Sequence, residues 1–243
     1  MKMIFLGVSE MKLFYDLHIH SALSPCGDKD MTPNNIVNMS IIKGLDIIAV
    51  ADHNSCGNVR AVMQVAGDRL LVIPAMEVET SEEVHMVCYF PCIEACEKMG
   101  VIVKEHMSGV KNQAEIFGEQ LYMDSEDNII GKEENLLVTA TNLDIFQVSE
   151  KTKEIGGVAV PAHIDRSSYS VLSNLGFIPP ELVVDTVEIT AKNRLKMEKE
   201  YGEKYNIISN SDAHYLEDIA EPKFYIDIMS KSAEKVIEYL CKR

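Results

Sequence analysis

Short apolar segments rich in β-branched residues recur along this 243-residue chain, with helical stretches between them. Such segments are typical of β-strands, and several are continuously apolar, as strands covered on both faces are. Eight strands are predicted, at residues 12–19, 46–51, 70–78, 84–90, 158–163, 185–190, 206–211 and 224–229. The alternation of strands and helices predicts an α/β fold with a largely parallel sheet. Because there are many such units and no nucleotide-binding glycine motif, the pattern favours a barrel.

Residues 91–142 interrupt this alternation. They contain many acidic residues and a hairpin-like turn around Asp124–Asn128, without a strand of the main series. We interpret this segment as an insertion over one end of the domain, either a lid or a solvated excursion. With 47% apolar residues, the chain suffices for one large core, and we predict a single domain over residues 1–243.

The chain carries 38 acidic against 23 basic residues, a formal charge of -15. This charge repels polyanions, so we expect neither a membrane surface nor a long nucleic acid as a partner. A small phosphorylated substrate is compatible, because bound metal ions can dominate the local field. The N-terminal apolar run is too short for a secretory signal, and the six cysteines do not resemble a disulfide scaffold. We therefore predict a cytoplasmic protein.

Histidines and acids cluster at the predicted strands, mostly at their C-terminal ends. They are His18, His20, Asp52, His53, Glu77, Glu79, His85, His163, Glu188, Asp212 and His214. In a parallel α/β barrel the C-terminal strand ends meet at one face, so we expect these side chains to lie together. His106 is the one histidine outside this set.

The residue types in this set indicate a metal site. His18 and His20 are two apart on one strand, so both imidazoles face the same point. Glu77 and Asp212 lie in or after apolar strands, where a buried charge is costly unless it is paired or bound to metal. A mixed nitrogen and oxygen set suits Zn, Mn or Fe better than Mg or Ca. There are more candidate ligands than the four of a structural zinc site, which favours a catalytic cluster of two or three divalent ions.

Five ordered motifs carry a family resemblance: "DLHIHS", "ADHNS", "AMEVET" followed by "VH", "PAH" and "SDAH". They resemble the motifs of the PHP (polymerase and histidinol phosphatase) family, whose members are metal-dependent phosphoesterases. The match extends from about residue 15 to residue 214. The resemblance implies a distorted (β/α)7 TIM-like barrel with up to three metals at its C-terminal face.

The resemblance also implies a ligand set. The first metal would be held by His18, His20, Glu77 and Asp212. The second metal would be held by the bridging Glu77 with His85 and His163. The third metal would be held by His53 and His214, with one further ligand from the loop after His20.

That last ligand departs from the family pattern. Family members commonly place an aspartate or histidine five or six residues after the second histidine of H-x-H, where this chain has Pro25 and Cys26. Cys26 can bind as a thiolate, and Asp28 can reach the site if the loop bends, so both alternatives stay open. Asp52 either binds metal or orients the neighbouring His53 from behind.

The resemblance implies hydrolysis of a phosphate ester of a small molecule, such as a nucleotide or sugar phosphate, by a metal-activated hydroxide that attacks phosphorus. Two alternatives stay open. One is hydrolysis of another bond, such as an amide, on the same barrel. The other is a non-enzymatic metal-binding module, since the fold alone does not fix function.

Basic residues near the strand ends are candidates for substrate binding. Arg166 is preferred for the phosphate because its planar guanidinium makes bidentate bonds to phosphate oxygens. Lys192 and Arg194 follow another strand and are further candidates. His53 or His214 would donate a proton to the leaving group if the third metal is absent. The sequence does not constrain the oligomeric state.

Overall fold

The computed structural model describes residues 10–242. The strands are β1 (Met11–Ile19), β2 (Ile47–Val50), β3 (Leu71–Glu79), β4 (His85–Tyr89), β5 (Leu121–Met123), β6 (Ile129–Lys132), β7 (Val158–Pro161), β8 (Thr186–Thr190), β9 (Asn206–Asn210) and β10 (Tyr225–Ile228). The α-helices are α1 (Pro33–Ile42), α2 (Val59–Ala66), α3 (Ile93–Glu105), α4 (Ala114–Phe117), α5 (Ile145–Glu154), α6 (Val171–Leu175), α7 (Arg194–Tyr201) and α8 (Ala233–Leu240). Within these described residues, no helix combines the length and apolar character needed to cross a bilayer. The prediction about a secretory signal concerns residues 1–9, outside the described residues.

All eight predicted strands are present. Six of them form one sheet in the order β10-β1-β2-β3-β4-β7, and β8 pairs in parallel with β9 in a second sheet. The expected largely parallel sheet needs correction, because β10 pairs antiparallel with β1, β4 with β3, and β7 with β4. Only residues 80–84 join β3 to β4. So short a link cannot make a parallel crossover, which requires a dozen or more residues.

The β8–β9 sheet lies beside β1. The last residue of β1, Ile19, makes a parallel bridge to Ala213, and the His20 N–H donates to the Ala213 carbonyl over 2.9 Å. On the side of β7, the Ile164 N–H donates to the Glu188 carbonyl over 2.9 Å. The sheet thus curls into a half-barrel within a mixed α/β fold, and the full (β/α)7 barrel stays a prediction.

The curled sheet is buried on both faces, which explains the continuously apolar strands. One face packs on helices through residues such as Val37, Val62 and Val148. The other face forms an inner cluster that includes Leu17 and Tyr89. The Tyr89 hydroxyl donates to the Leu17 carbonyl over 3.0 Å, so the polar end of this buried ring is satisfied.

The predicted insertion at 91–142 is shorter in the structure. Its first part is α3, which packs on the sheet through Met99 and Val103 and thus belongs to the α/β framework. The remainder contains the β5–β6 hairpin, with the predicted turn closed by the Asp124 N–H and the Asn128 carbonyl. The buried Asn58 fixes this hairpin, because its amide donates to the Leu121 carbonyl over 2.9 Å and its oxygen accepts from the Met123 N–H. The hairpin is therefore hydrogen-bonded to the residue that precedes α2.

Substitution of Asn58 by alanine is expected to lower the free energy of unfolding by about 1–3 kcal/mol, since it leaves buried hydrogen-bonding groups of the hairpin unpaired. Denaturant unfolding followed by circular dichroism measures this change. Asn38→Ala, on the exposed face of α1, is the matched control and is expected to change stability by less than about 0.5 kcal/mol. Equal effects of the two substitutions would contradict the anchoring role of Asn58.

Candidate metal centre

The strand directions bring the histidines and acids to one end of the sheet. β1 and β3 run parallel to β2, so His18 and Glu77 lie at the same edge. β4 runs the opposite way, and its first residue, His85, therefore reaches this edge as well. His163 and Asp212 follow β7 and β9 directly. The residues predicted as metal ligands thus converge.

Glu77 is the centre of this cluster, and its carboxylate is buried among five imidazoles. Oε1 lies 2.9 Å from His85 Nδ1, 3.3 Å from His18 Nε2 and 3.4 Å from His163 Nε2. Oε2 lies 2.9 Å from His53 Nδ1 and 3.6 Å from His20 Nε2. One carboxylate that faces imidazoles through both oxygens has the arrangement of a bridging metal ligand.

Asp212 is the second buried carboxylate of the cluster. Its Oδ1 lies 2.9 Å from His20 Nε2 and 3.4 Å from His18 Nε2. The residue has a φ of 54°, in the left-handed region that aspartate tolerates better than most residues. Its other oxygen, Oδ2, lies 2.5 Å from an Arg166 guanidinium nitrogen. Asp212 thus joins the H-x-H pair to the predicted phosphate-binding arginine.

Several buried polar atoms of the cluster have no partner in hydrogen-bonding geometry, although imidazole nitrogens lie as close as 2.9 Å to the Glu77 oxygens. They are both oxygens of Glu77, Oδ1 of Asp212, Nδ1 of His53 and Nδ1 of His163. Three groups have ligand atoms within 4.8 Å of one another: His18, His20 and Glu77; His53, Glu77 and His85; and His20, His53 and His214. Unpaired buried polar atoms are costly, and metal coordination removes that cost. The residues present therefore fit a cluster of divalent metal ions.

The ionisation of Glu77 and of His20 suits metal binding. Burial raises the pKa of Glu77, but the imidazoles of His85 and His18 outweigh burial and hold that pKa well below its usual range. Burial, together with His214 and His53, lowers the pKa of His20 well below its usual value. Metals bind ionised carboxylates and neutral imidazoles, and these are the states favoured for Glu77 and His20. Burial lowers the pKa of His18, but nearby carboxylates, Glu188 foremost, outweigh burial and raise that pKa well above its usual value, so a metal ion would have to displace a proton there.

A layer of hydrogen bonds orients His18 in β1 and His20 directly after it. His18 Nδ1 lies 3.0 Å from Glu188 Oε1, and Glu188 accepts in turn from the Asn210 amide over 2.6 Å. His20 Nδ1 lies 2.9 Å from the Ser24 hydroxyl, which donates to Asp52 over 2.7 Å. Such partners fix the orientation and tautomer of ligand imidazoles.

Asp52 belongs to this supporting layer. Its carboxylate accepts hydrogen bonds from Ser21 and Ser24, and through Ser24 it supports His20. The sequence analysis suggested instead that Asp52 would orient His53. Sequence reasoning missed Ser24, because a serine four residues after a histidine carries no recognisable signal. The sequence identified Glu188 only as an acid near a strand end, because its partner His18 lies 170 residues away along the chain.

The loop after His20 brings Cys26, and not the Asp28 carboxylate, to the histidines. Burial raises the pKa of the Cys26 thiol, but its hydrogen bonding with His214 and His53 outweighs burial and lowers the pKa to about 7. The Asp28 carboxylate accepts from the Asp30 N–H over 2.8 Å and so closes its own loop. A thiol stands where the family pattern predicts an oxygen or nitrogen ligand.

The cluster opens into a cavity of about 250 Å³. Arg166 lines this cavity, but Lys192 and Arg194, the other predicted substrate-binding residues, do not. Arg194 Nε is instead 2.6 Å from a Glu198 carboxylate oxygen beside a separate cavity, and Lys192 is exposed in the short 3-10 helix before α7. The Arg194 guanidinium also donates to the Ser209 hydroxyl and the Ile207 carbonyl, which hold it beside β9.

Glu79 also lines the cavity, and burial raises its pKa to about 7. The sequence placed it at a strand end but assigned it no role. A signal for it existed, because Glu77 and Glu79 are two apart on one strand and side chains at that spacing face the same side.

No family model matches the chain. An uncharacterized protein of Methanocaldococcus jannaschii is 28% identical over 192 residues, which cover 78% of this chain and 21% of that protein. This chain thus spans about a fifth of the length of that relative.

Two structures of endonuclease Q are similar to this chain. The lesion-specific enzyme of Pyrococcus furiosus has a TM-score of 0.70 at 19% identity, over 95% of this chain and 56% of that one. A complex of endonuclease Q with a 27-mer duplex that has an abasic lesion at the active site has a TM-score of 0.62 at 21% identity, over 85% of this chain and 50% of that one. The exclusion of long nucleic acids is therefore wrong. The net charge of a chain does not determine the field at its site.

A two-domain protein of Bacteroides vulgatus, named as containing a predicted PHP-like metal-dependent phosphoesterase, has a TM-score of 0.60 at 16% identity. The match covers 96% of this chain and 64% of that one. These neighbours are named as phosphoesterases or nucleases, in agreement with the expected hydrolase. The chain therefore has the fold of the PHP-like metal-dependent phosphoesterases, as its motifs predicted.

Proposed function

We propose that this protein is a metal-dependent phosphoesterase that hydrolyses phosphodiester bonds of nucleotide-containing substrates, polynucleotides included. The observation that carries the proposal is the buried Glu77 carboxylate, which faces five imidazoles while neither oxygen has a hydrogen-bond partner. The similarity to endonuclease Q supports the substrate class. The predicted cytoplasmic location and single domain stay part of this proposal.

Three groups of residues would hold the metal ions. The first group is His18, His20, Glu77 and Asp212. The second group is Glu77, His85 and His163. The third group is His53, His214 and Cys26. When bound, Zn, Mn or Fe ions would supply Lewis acidity and lower the pKa of a water molecule.

Arg166 would bind the substrate phosphate. Its guanidinium lines the cavity and its side chain is 41% exposed, so a ligand can reach it. The ion pair with Asp212 holds the planar group beside the metal ligands. A guanidinium in this place can donate two parallel hydrogen bonds to phosphate oxygens.

Metal binding is expected to stabilise the folded protein through Glu77. Zn or Mn added to chelator-treated protein should raise the melting temperature, because an ion that binds only the folded state at 100 times its Kd contributes about 2.7 kcal/mol. Glu77→Gln should lose most of this increase, as measured by calorimetry with and without metal. Glu97→Gln alters an exposed carboxylate and should keep the increase. An increase of the same size in Glu77→Gln would contradict the site.

Hydrolysis of bis-p-nitrophenyl phosphate and of a DNA duplex with an abasic site tests the proposed function. His20→Ala and Asp212→Asn should each lower kcat/KM by at least about 100-fold, since even the residues behind metal ligands contribute 10–100-fold. Arg166→Ala should raise KM by about 10- to 150-fold, the equivalent of a charged hydrogen bond. Arg194→Ala is its matched control and should leave KM unchanged. Turnover that survives His20→Ala, or turnover on an anilide but on no ester, would contradict the proposal.

The third group predicts a sulfur ligand. Cys26→Ser should lower the metal content by one ion per chain, and the cobalt-loaded variant should lose the thiolate charge-transfer absorption of the wild type. Cys26→Asp, which restores an oxygen ligand, should keep the metal content and lose the absorption. Cys92→Ser, at an exposed thiol, is the control. Unchanged metal content and absorption in Cys26→Ser would exclude the thiolate.

A further inference from the structure

Tyr169 presents an aromatic ring to the metal cavity. It lies in the loop between β7 and α6, and its ring stacks on His85 with centroids 4.9 Å apart and planes at 24°. The residue is 47% exposed and lines the cavity. Because nearly half of the residue is exposed, the free part of the ring is accessible to a ligand in the cavity.

The loop holds this ring in place before any ligand arrives. Tyr169 has a φ of 54°, which is rare for a bulky residue and marks a conformation that the surroundings impose. Its carbonyl accepts from the His85 N–H over 3.0 Å. Next to it, the Ser170 hydroxyl donates to the Arg166 carbonyl over 2.8 Å and caps α6. A preorganised ring binds a ligand without the cost of ordering the loop.

The same loop supplies Arg166, so a cation and a planar apolar surface border one cavity. Tyr169 is the sole aromatic residue other than histidine among the described residues that line it, and Val138 adds a further apolar side chain. A ligand that matches both features has a phosphate and a planar ring close together, as a nucleotide does. Bases stack on aromatic side chains with little dependence on sequence.

We propose that Tyr169 is a nucleobase-binding subsite, in which the exposed part of its ring stacks on the base of the substrate while Arg166 holds the adjacent phosphate. The proposal rests on the proposed function and specifies how that site recognises its substrate. Tyr169 is a specificity residue, because its ring binds the base and does not contact the reacting phosphorus.

Calorimetric titration of the metal-loaded protein with thymidine 5′-monophosphate, and separately with methyl phosphate, tests the subsite without requiring turnover. Tyr169→Asn removes the ring and replaces it with a residue that tolerates positive φ, so the backbone of the loop is retained. It should weaken binding of the nucleotide by about 5- to 150-fold and leave methyl phosphate unchanged. Tyr169→Phe keeps the ring and should bind both ligands as the wild type does.

Three results would overturn the subsite. In the first, the wild type binds both ligands equally. In the second, Tyr169→Asn weakens both ligands to the same extent, which, with the metal content of each variant measured, assigns the ring only to positioning His85. In the third, Tyr169→Asn leaves nucleotide binding unchanged. Ring-dependent nucleotide binding by a protein that cleaves no phosphodiester would instead refute the proposed function and retain the subsite.

Discussion

The buried carboxylate of Glu77 is the interaction on which the rest of the centre depends. An ionised carboxylate removed from water is destabilising unless positive charge compensates for it, and in this structure five imidazoles surround it. Imidazoles supply that charge by protonation or by holding metal ions. The second solution leaves the histidines neutral and pairs the unpaired atoms of the cluster. Metal binding would thus stabilise the cluster in two ways. It compensates the charge of the Glu77 carboxylate, and it provides partners for the buried polar atoms that lack hydrogen bonds.

Strand direction explains how a chain can assemble such a cluster from positions nearly 200 residues apart. The parallel strands β1, β2 and β3 deliver residues from their C-terminal ends. The antiparallel β4 delivers His85 from its N-terminal end, which it can do because only residues 80–84 separate it from β3. The short reversal that broke the expected parallel order is therefore what adds a fifth imidazole to Glu77.

The sequence predicted what depends on local pattern and missed what depends on distant partners. The short apolar runs predicted β1 and β3, and the alternation of side chains along a strand predicted the shared orientation of His18 and His20. Pairing of Glu188 with His18, and of Asp52 with Ser24, arises only after the sheet curls, so no spacing in the sequence encodes it. Arg194 shows the limit of local pattern, because proximity to a strand end did not reveal that its guanidinium pairs with Glu198 beside a separate cavity.

The net charge of -15 illustrates why bulk properties predict partners poorly. Exposed charges more than about 10 Å from a ligand are largely screened at physiological ionic strength, whereas groups in a cavity act at close range. Within the cavity the Arg166 guanidinium is paired with Asp212, and bound metal ions would add several positive charges. The acidic surface reduces the rate of encounter with polyanions more than it opposes binding once a phosphate has entered. A polynucleotide substrate is therefore compatible with an acidic chain.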